Sequence, residues 1–425
     1  MLVALASACG ARTGLDVGDS SIRADRPDAG TDRATDAEPR PDDAPASADG
    51  GALPPTPDSG TVELPDGSIA LPPDVRPRQI VAAGWRHTCA VVDGAVWCWG
   101  FDSAGQAGGW ARVDRVLAPI RVDVGGTAVE VTAGLLHSCA LLADGSVRCW
   151  GSNDLGQLGD GTRNTRVQPV AVLELHDAVR LAAAGEHTCA LRLGGEVWCW
   201  GHNGFGQLGD GTRITRALPR IVHGLADAVD LVAGRRHTCA VRRTGALYCW
   251  GAGAQGQLGL ADREDHEQPI AVPGYGDVRS VAAGAYHTCA LAQTDSVDCW
   301  GSVVHIGGYG GTAIGFEQRP VLGLYDIQRV SGGDLGTTCA IFGPDSEIRC
   351  ASPEDCSPMD DPACVRVFDV GGIERATSVS VGYEHGCAKL EGGGIACWGG
   401  NDFGQRGDGT TRVANPEIAT HVRGM

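Results

Sequence analysis

Cysteine is the residue type whose placement could do chemistry in this chain, and it comes in pairs. Cys89, Cys139, Cys189, Cys239, Cys289, Cys339 and Cys387 are each followed, nine to eleven residues on, by Cys98, Cys149, Cys199, Cys249, Cys299, Cys350 and Cys397. The turns between partners indicate what the pairs do. Ala143-Asp144-Gly145 forms a three-residue loop with glycine where a left-handed backbone is needed, so Leu142 faces Ser146 and Cys139 falls opposite Cys149. That is a non-hydrogen-bonded site, where Cα atoms approach to about 4.5 Å, within disulfide range. Where the loop shortens to Asp93-Gly94, or lengthens to four residues at 343–346, the cysteine spacing changes with it, so Cys89 still faces Cys98 and Cys339 still faces Cys350. Cysteine acting as a small apolar spacer between packed sheets would explain each position singly but not both partners. Cross-strand disulfides are therefore expected, each worth roughly 2.5 to 3 kcal/mol on the chain-entropy model. Cys356 and Cys364 are expected to form an eighth bridge.

Other residues with chemical potential recur in step with the cysteines. His87, His137, His187, His237, His287 and His385 each stand two before a first cysteine. A metal ion needs its ligands within about 2 Å, and equivalent points on separate repeats are too far apart for that. A structural role is expected instead, with a ring nitrogen bonding a backbone carbonyl at a strand start. Trp99, Trp150, Trp200, Trp250, Trp300 and Trp398 follow the second cysteines and read as packing between repeats. The Gly159-Asp160-Gly161-Thr162 and Gly209-Asp210-Gly211-Thr212 segments lack the dense acidic ligands of a calcium loop and read as turns. No Ser-His-Asp order, phosphate-binding Gly-Lys-Ser/Thr loop or His-Glu-x-x-His motif stands out. No metal, cofactor or catalytic residue is assigned.

The elements that must position these residues follow from the period. The unit repeats every 50 residues, with a last step of 48. The third copy parses as a short apolar strand ending at Gly185, a strand from His187 to Arg192, a strand over 196–200 and an edge strand after Pro219. No window keeps a 3.6-residue apolar period, and 64 glycines suit many tight turns. Four short strands in each of seven units describe an all-β, seven-bladed β-propeller over residues 79–425.

The combination Ala-Gly-x-x-His-Thr-Cys-Ala-Leu, then Cys-Trp-Gly-x-Asn-x-x-Gly-Gln-Leu-Gly-Asp-Gly-Thr, resembles the regulator of chromosome condensation repeat in its bacterial alpha-tubulin-suppressor-like form. Kelch units share the period but not this pattern, and WD40 units are shorter. The resemblance implies a propeller, and it implies nucleotide exchange on a small GTPase as an alternative function. No residues matching that activity can be placed here.

Upstream of the repeats, residues 1–9 resemble the end of a bacterial lipoprotein signal, whose Ala-Ser-Ala-Cys box makes Cys9 the lipidated residue. The apolar run is short and lacks a basic flank, which reads as a start placed downstream of the true one. Residues 10–78 hold 11 of the 22 prolines with 14 acidic and 7 basic side chains, and are expected to form a disordered tether. The whole chain carries a formal charge of -18, which does not suit a polyanion binder, so no nucleic-acid partner is expected.

A repeated residue belongs to the scaffold, so binding specificity is sought where the repeat breaks. The fifth unit replaces its Gly-Gln-Leu-Gly segment with 302–315, carrying His305 and Tyr309. The sixth has Thr337 and Ala351 where the others have His and Trp, and it inserts 352–365 with Glu354, Asp355, Asp360 and Asp361. These six residues, His305, Tyr309, Glu354, Asp355, Asp360 and Asp361, are the candidate partner-binding set. The expected protein is a monomeric, non-enzymatic scaffold outside the cytoplasm, at the outer membrane or cell surface, or secreted. It would bind another protein or a surface ligand and meet the membrane only through its lipid. A polysaccharide-active enzyme on the same scaffold is the second alternative.

Overall fold

The computed structural model describes residues 80–109, 114–292, 297–301, 315–320, 326–334, 336–352, 366–413 and 415–425. The signal-like residues 1–9 with Cys9, the tether 10–78, Cys356, Cys364 and all six candidate partner-binding residues lie outside them.

The first unit forms β1 (Val81–Ala83), β2 (His87–Val92), β3 (Ala95–Phe101) and β4 (Arg115–Val122), paired antiparallel in that order. The second repeats the arrangement with β5 (Ala128–Ala133), β6 (His137–Leu142), β7 (Val147–Gly151) and β8 (Arg166–Ala171). Five further four-stranded sheets of the same sequential order complete seven blades, and no helix occurs among the described residues. The first strand of each blade lines a central cavity of about 300 Å³. The two middle strands are covered on both faces, which is why His-Thr-Cys-Ala and Cys-Trp-Gly lack the usual in-out alternation: β2 is buried at five of its six positions and β6 at all six.

The outermost strands carry Pro119, Pro169, Pro219 and Pro269, which cannot donate to a further strand and so blunt the exposed edges. In the third blade this strand begins at Arg216, ahead of Pro219 and not after it as the proline suggests. The register jumps from Arg220 opposite Cys199 to Arg216 opposite Gly201, so the proline sits in a bulge where no N–H is required.

The ring closes without exchange of strands. The last strand, Thr420–His421, pairs inside its own blade. The seam between blades seven and one is made by side chains: Ala83 N–H donates to Ser380 Oγ at 2.9 Å, and Trp99 Nε1 donates to the Gln405 carbonyl at 2.8 Å.

Candidate functional site

The seven cysteine pairs adopt the register deduced from their turns. Each first cysteine faces its partner directly, the Cα atoms are 4.0 to 4.1 Å apart, and all seven pairs are disulfides. Asp93 and Gly94 take φ of 51° and 75°, the left-handed pair that a two-residue hairpin requires. The sulfurs are shielded, with every bridged cysteine at 2% exposure or less.

The histidines have the structural role expected, but the partner of Nε2 is not a backbone carbonyl at a strand start. Each Nε2 instead meets the hydroxyl beside the first cysteine of the next blade: His87 to Ser138, His137 to Thr188, His187 to Thr238 and His237 to Thr288, all at 2.9 Å. His287 reaches Thr338 at 3.2 Å, and His385 closes the circle on Thr88 at 2.7 Å. The hydroxyls of Thr88, Ser138, Thr188, Thr238 and Thr288 in turn donate to the carbonyls of Gln405, Gln106, Gln157, Gln207 and Gln257 in the preceding blade. A hydroxyl has one proton, so in these links the imidazole must donate, which fixes it as the neutral Nε2–H tautomer. The same glutamine carbonyls accept the indole N–H of Trp99, Trp150, Trp200, Trp250 and Trp300. His, Thr or Ser, Gln and Trp therefore form one relay between blades.

Glycine in the Ala-Gly-x-x-His motif makes room for this relay. A Cβ on Gly134 would lie 2.3 Å from Cε1 of His137, and one on Gly234 would lie 2.2 Å from that of His237. Burial holds His87, His187, His237 and His385 down to about 3 and His137 to about 4, because a charged ring there has no water.

The Gly-Asp-Gly-Thr loops are closed on themselves. Asp160 accepts from Thr162 N–H and hydroxyl, from the Asn153 amide and from Arg166, and Asp210 repeats this with Thr212, Asn203 and Arg216. The backbone N–H of Gly161 and Gly211 captures a bulged carbonyl of the next blade's outer strand, at Ala217 and Glu267. These carboxylates are spent on turns and blade stacking.

The breaks in the repeat come as matched losses across blade interfaces. The sixth unit has Thr337 in place of the donor histidine, and the seventh has Gly386 where its acceptor hydroxyl would stand. The fifth lacks the Gln loop, and the sixth has Ala351 in place of the tryptophan that would use it.

Asp102 is a further departure, occupying the position of Asn153, Asn203 and Asn401. Its Oδ1 accepts Ala107 N–H at 2.7 Å, as those amides accept theirs, but Oδ2 is buried with no partner among the described residues. Burial raises its pKa to about 6. A raised carboxylate pKa disfavours the folded state once pH exceeds the unfolded value of about 3.8. Asp102→Asn is therefore expected to stabilise the protein at pH 7 by up to about 3 kcal/mol, with the gain vanishing near pH 4. Urea unfolding at the two pH values measures this, and equal midpoint shifts at both would refute the assignment.

The register also aligns one first-strand position from each blade, Ile80, Glu130, Arg180, Asp230, Ser280, Arg329 and Ser378, and the last five of these line the central cavity. Arg180 bridges Glu130 at 3.3 Å and Asp230 at 3.4 Å, tying blades two, three and four together. The reading from sequence missed this ring. The available signal was that the residue three to four places before the Ala-Gly pair changes from unit to unit while its surroundings repeat.

A family model described as RCC1-like domain matches residues 48–334 and 128–423. Human E3 ubiquitin-protein ligase HERC2 is 32% identical over 119 residues, which is 27% of this chain and 2% of that protein. The ultraviolet-B receptor UVR8 of Arabidopsis thaliana is 33% identical over 96 residues, 22% of each chain. The matched region thus spans a small part of both relatives. Among solved structures, Prp20p of Saccharomyces cerevisiae superimposes with a TM-score of 0.68 at 23% identity, covering 79% of this chain and 87% of that one.

Proposed function

The chain belongs to the RCC1-like domain family, and on that premise we propose that it is a non-catalytic scaffold outside the cytoplasm, presenting its unrepeated segments to a partner protein. The observation that carries this reading is the set of seven buried disulfides, since such bridges form and persist where thiols are not kept reduced. A second support is that the repeated His, Thr, Gln, Trp and Asp side chains are consumed in holding blades together. The longest breaks in the repeat are the segments at 302–315 and 352–365, with His305, Tyr309, Glu354, Asp355, Asp360 and Asp361 as the proposed contacts. A protein partner also agrees with Prp20p, whose structure was solved with its binding properties to Gsp1p and histones. Cys9 is the proposed lipid attachment point, with 10–78 as the spacer.

Capture of an extracytoplasmic protein by the full-length chain, lost on deleting residues 352–365 and unaffected by Cys9→Ala, is the expected result. Cys9→Ala is expected to move the protein from the membrane to the soluble fraction. Recovery of the unaltered protein in the cytoplasm, or capture that survives the deletion, would overturn the reading.

A further inference from the structure

The aligned channel position takes five residue types in seven units, in a chain whose neighbouring positions copy one another from blade to blade. The ring it forms has two unlike halves. Across blades two to four every charge has a partner, Arg180 being held between Glu130 and Asp230, two carboxylates to one guanidinium. Across blades five to seven stand Ser280, Arg329 and Ser378, one to a blade, all lining the central cavity of about 300 Å³. A cavity of that size admits a small metabolite.

Arg329 is half-buried in the cavity wall; its backbone pairs within the sheet, and its guanidinium makes no hydrogen bond or ion pair among the described residues. Burial and repulsion from Arg180 disfavour its charge, and the one carboxylate that offsets them, Asp230, already serves Arg180. A guanidinium presents a planar fork of donors that matches a carboxylate or phosphate, and a serine hydroxyl on either side can donate to the same group. We propose that the channel is a receptor for a small oxyanion, a carboxylate or a phosphate, gripped by Arg329 with the hydroxyls of Ser280 and Ser378. The site also has a structural consequence. Blades five, six and seven are those whose relay is thinnest, and an anion held by one residue from each would couple them. Binding to the folded state alone raises stability by mass action.

The test is thermal unfolding and titration calorimetry of the full chain with inorganic phosphate, with malonate, and with sodium chloride at matched ionic strength. A saturable rise in midpoint with phosphate or malonate, beyond that with chloride, is expected, and the anion that gives it identifies the chemistry. Arg329→Gln is expected to weaken binding at least about tenfold, as loss of a charge-assisted contact does. Arg329→Lys should fall between, having the charge without the fork. Circular dichroism checks that Arg329→Gln is folded; if it is not, the Ser280→Ala and Ser378→Ala double variant carries the test, with weaker binding expected. Phosphate and malonate responses that match chloride, or a folded Arg329→Gln that binds like the parent chain, would overturn the proposal.

Discussion

Reduction during unfolding is expected to abolish refolding of this propeller, whereas reductant alone is expected to leave the native protein intact. The sulfurs lie at 2% exposure or less, so a reducing thiol has no path to them until the blades open. Once opened, each lost bridge returns roughly 2.5 to 3 kcal/mol of loop freedom to the unfolded chain. A domain with about 5 to 15 kcal/mol of net stability cannot survive the loss of all seven. Far-ultraviolet circular dichroism through a urea titration with and without reductant measures the effect. Thiol counting gives the companion number: denatured, unreduced chain should expose at most Cys9, Cys356 and Cys364. About fourteen reactive thiols would refute both the bridges and the oxidising compartment inferred from them.

Acid is expected to unfold the protein above the pH at which its hydrogen-bonded carboxylates Asp144, Asp160 and Asp210 titrate. Five relay histidines are held neutral by burial, with folded values of about 3 to 4 against an ordinary 6.5. A lowered histidine pKa contributes stability that is complete above 6.5 and drains away as pH falls toward the folded value. Each histidine supplies about 1.4 kcal/mol per pH unit in that window, so five acting together give about 7 kcal/mol per unit. That slope exhausts an ordinary domain within one to two units below pH 6.5, placing the transition between about pH 4.5 and 5.5. Despite burial, their hydrogen bonds hold Asp144, Asp160 and Asp210 below 3.8, so these titrate later. Burial raises Asp102 to about 6 and also raises Asp334, so these two take up protons in the folded state as pH falls and offset part of the histidine loss. His237→Gln should remove about one proton from the uptake measured by potentiometric unfolding. A protein that stays folded at pH 4 would show that the imidazoles are not buried in the relay.

The parts of this architecture that were legible in the sequence are those decided within one hairpin. Loop length and glycine placement set which residues of β2 and β3 face each other, so the cysteine register could be counted out from Asp93-Gly94. The period and the four-strand unit followed from the same short-range pattern. The histidine partner could not be counted out, because His137 and Thr188 lie in different blades and meet only through the angle at which blades stack. A backbone carbonyl was the expected acceptor; the hydroxyl of the next blade was available because glycine lets the ring pass. The channel position was hidden for a similar reason. Arg180 and Arg329 lie in separate repeats and look like surface arginines until the ring brings them to one axis.

By itself, then, the sequence determined the repeat, the strand order within a blade and the seven disulfides, because hydrogen-bonded hairpins have a side-chain period of two and admit one register per turn. Only the tertiary structure decided how the ring closes, which hydroxyl each histidine serves, and that Glu130, Arg180 and Asp230 form an ion triad opposite Ser280, Arg329 and Ser378. Those pairings join residues about 50 or more positions apart, and their distances depend on how seven sheets divide one circle.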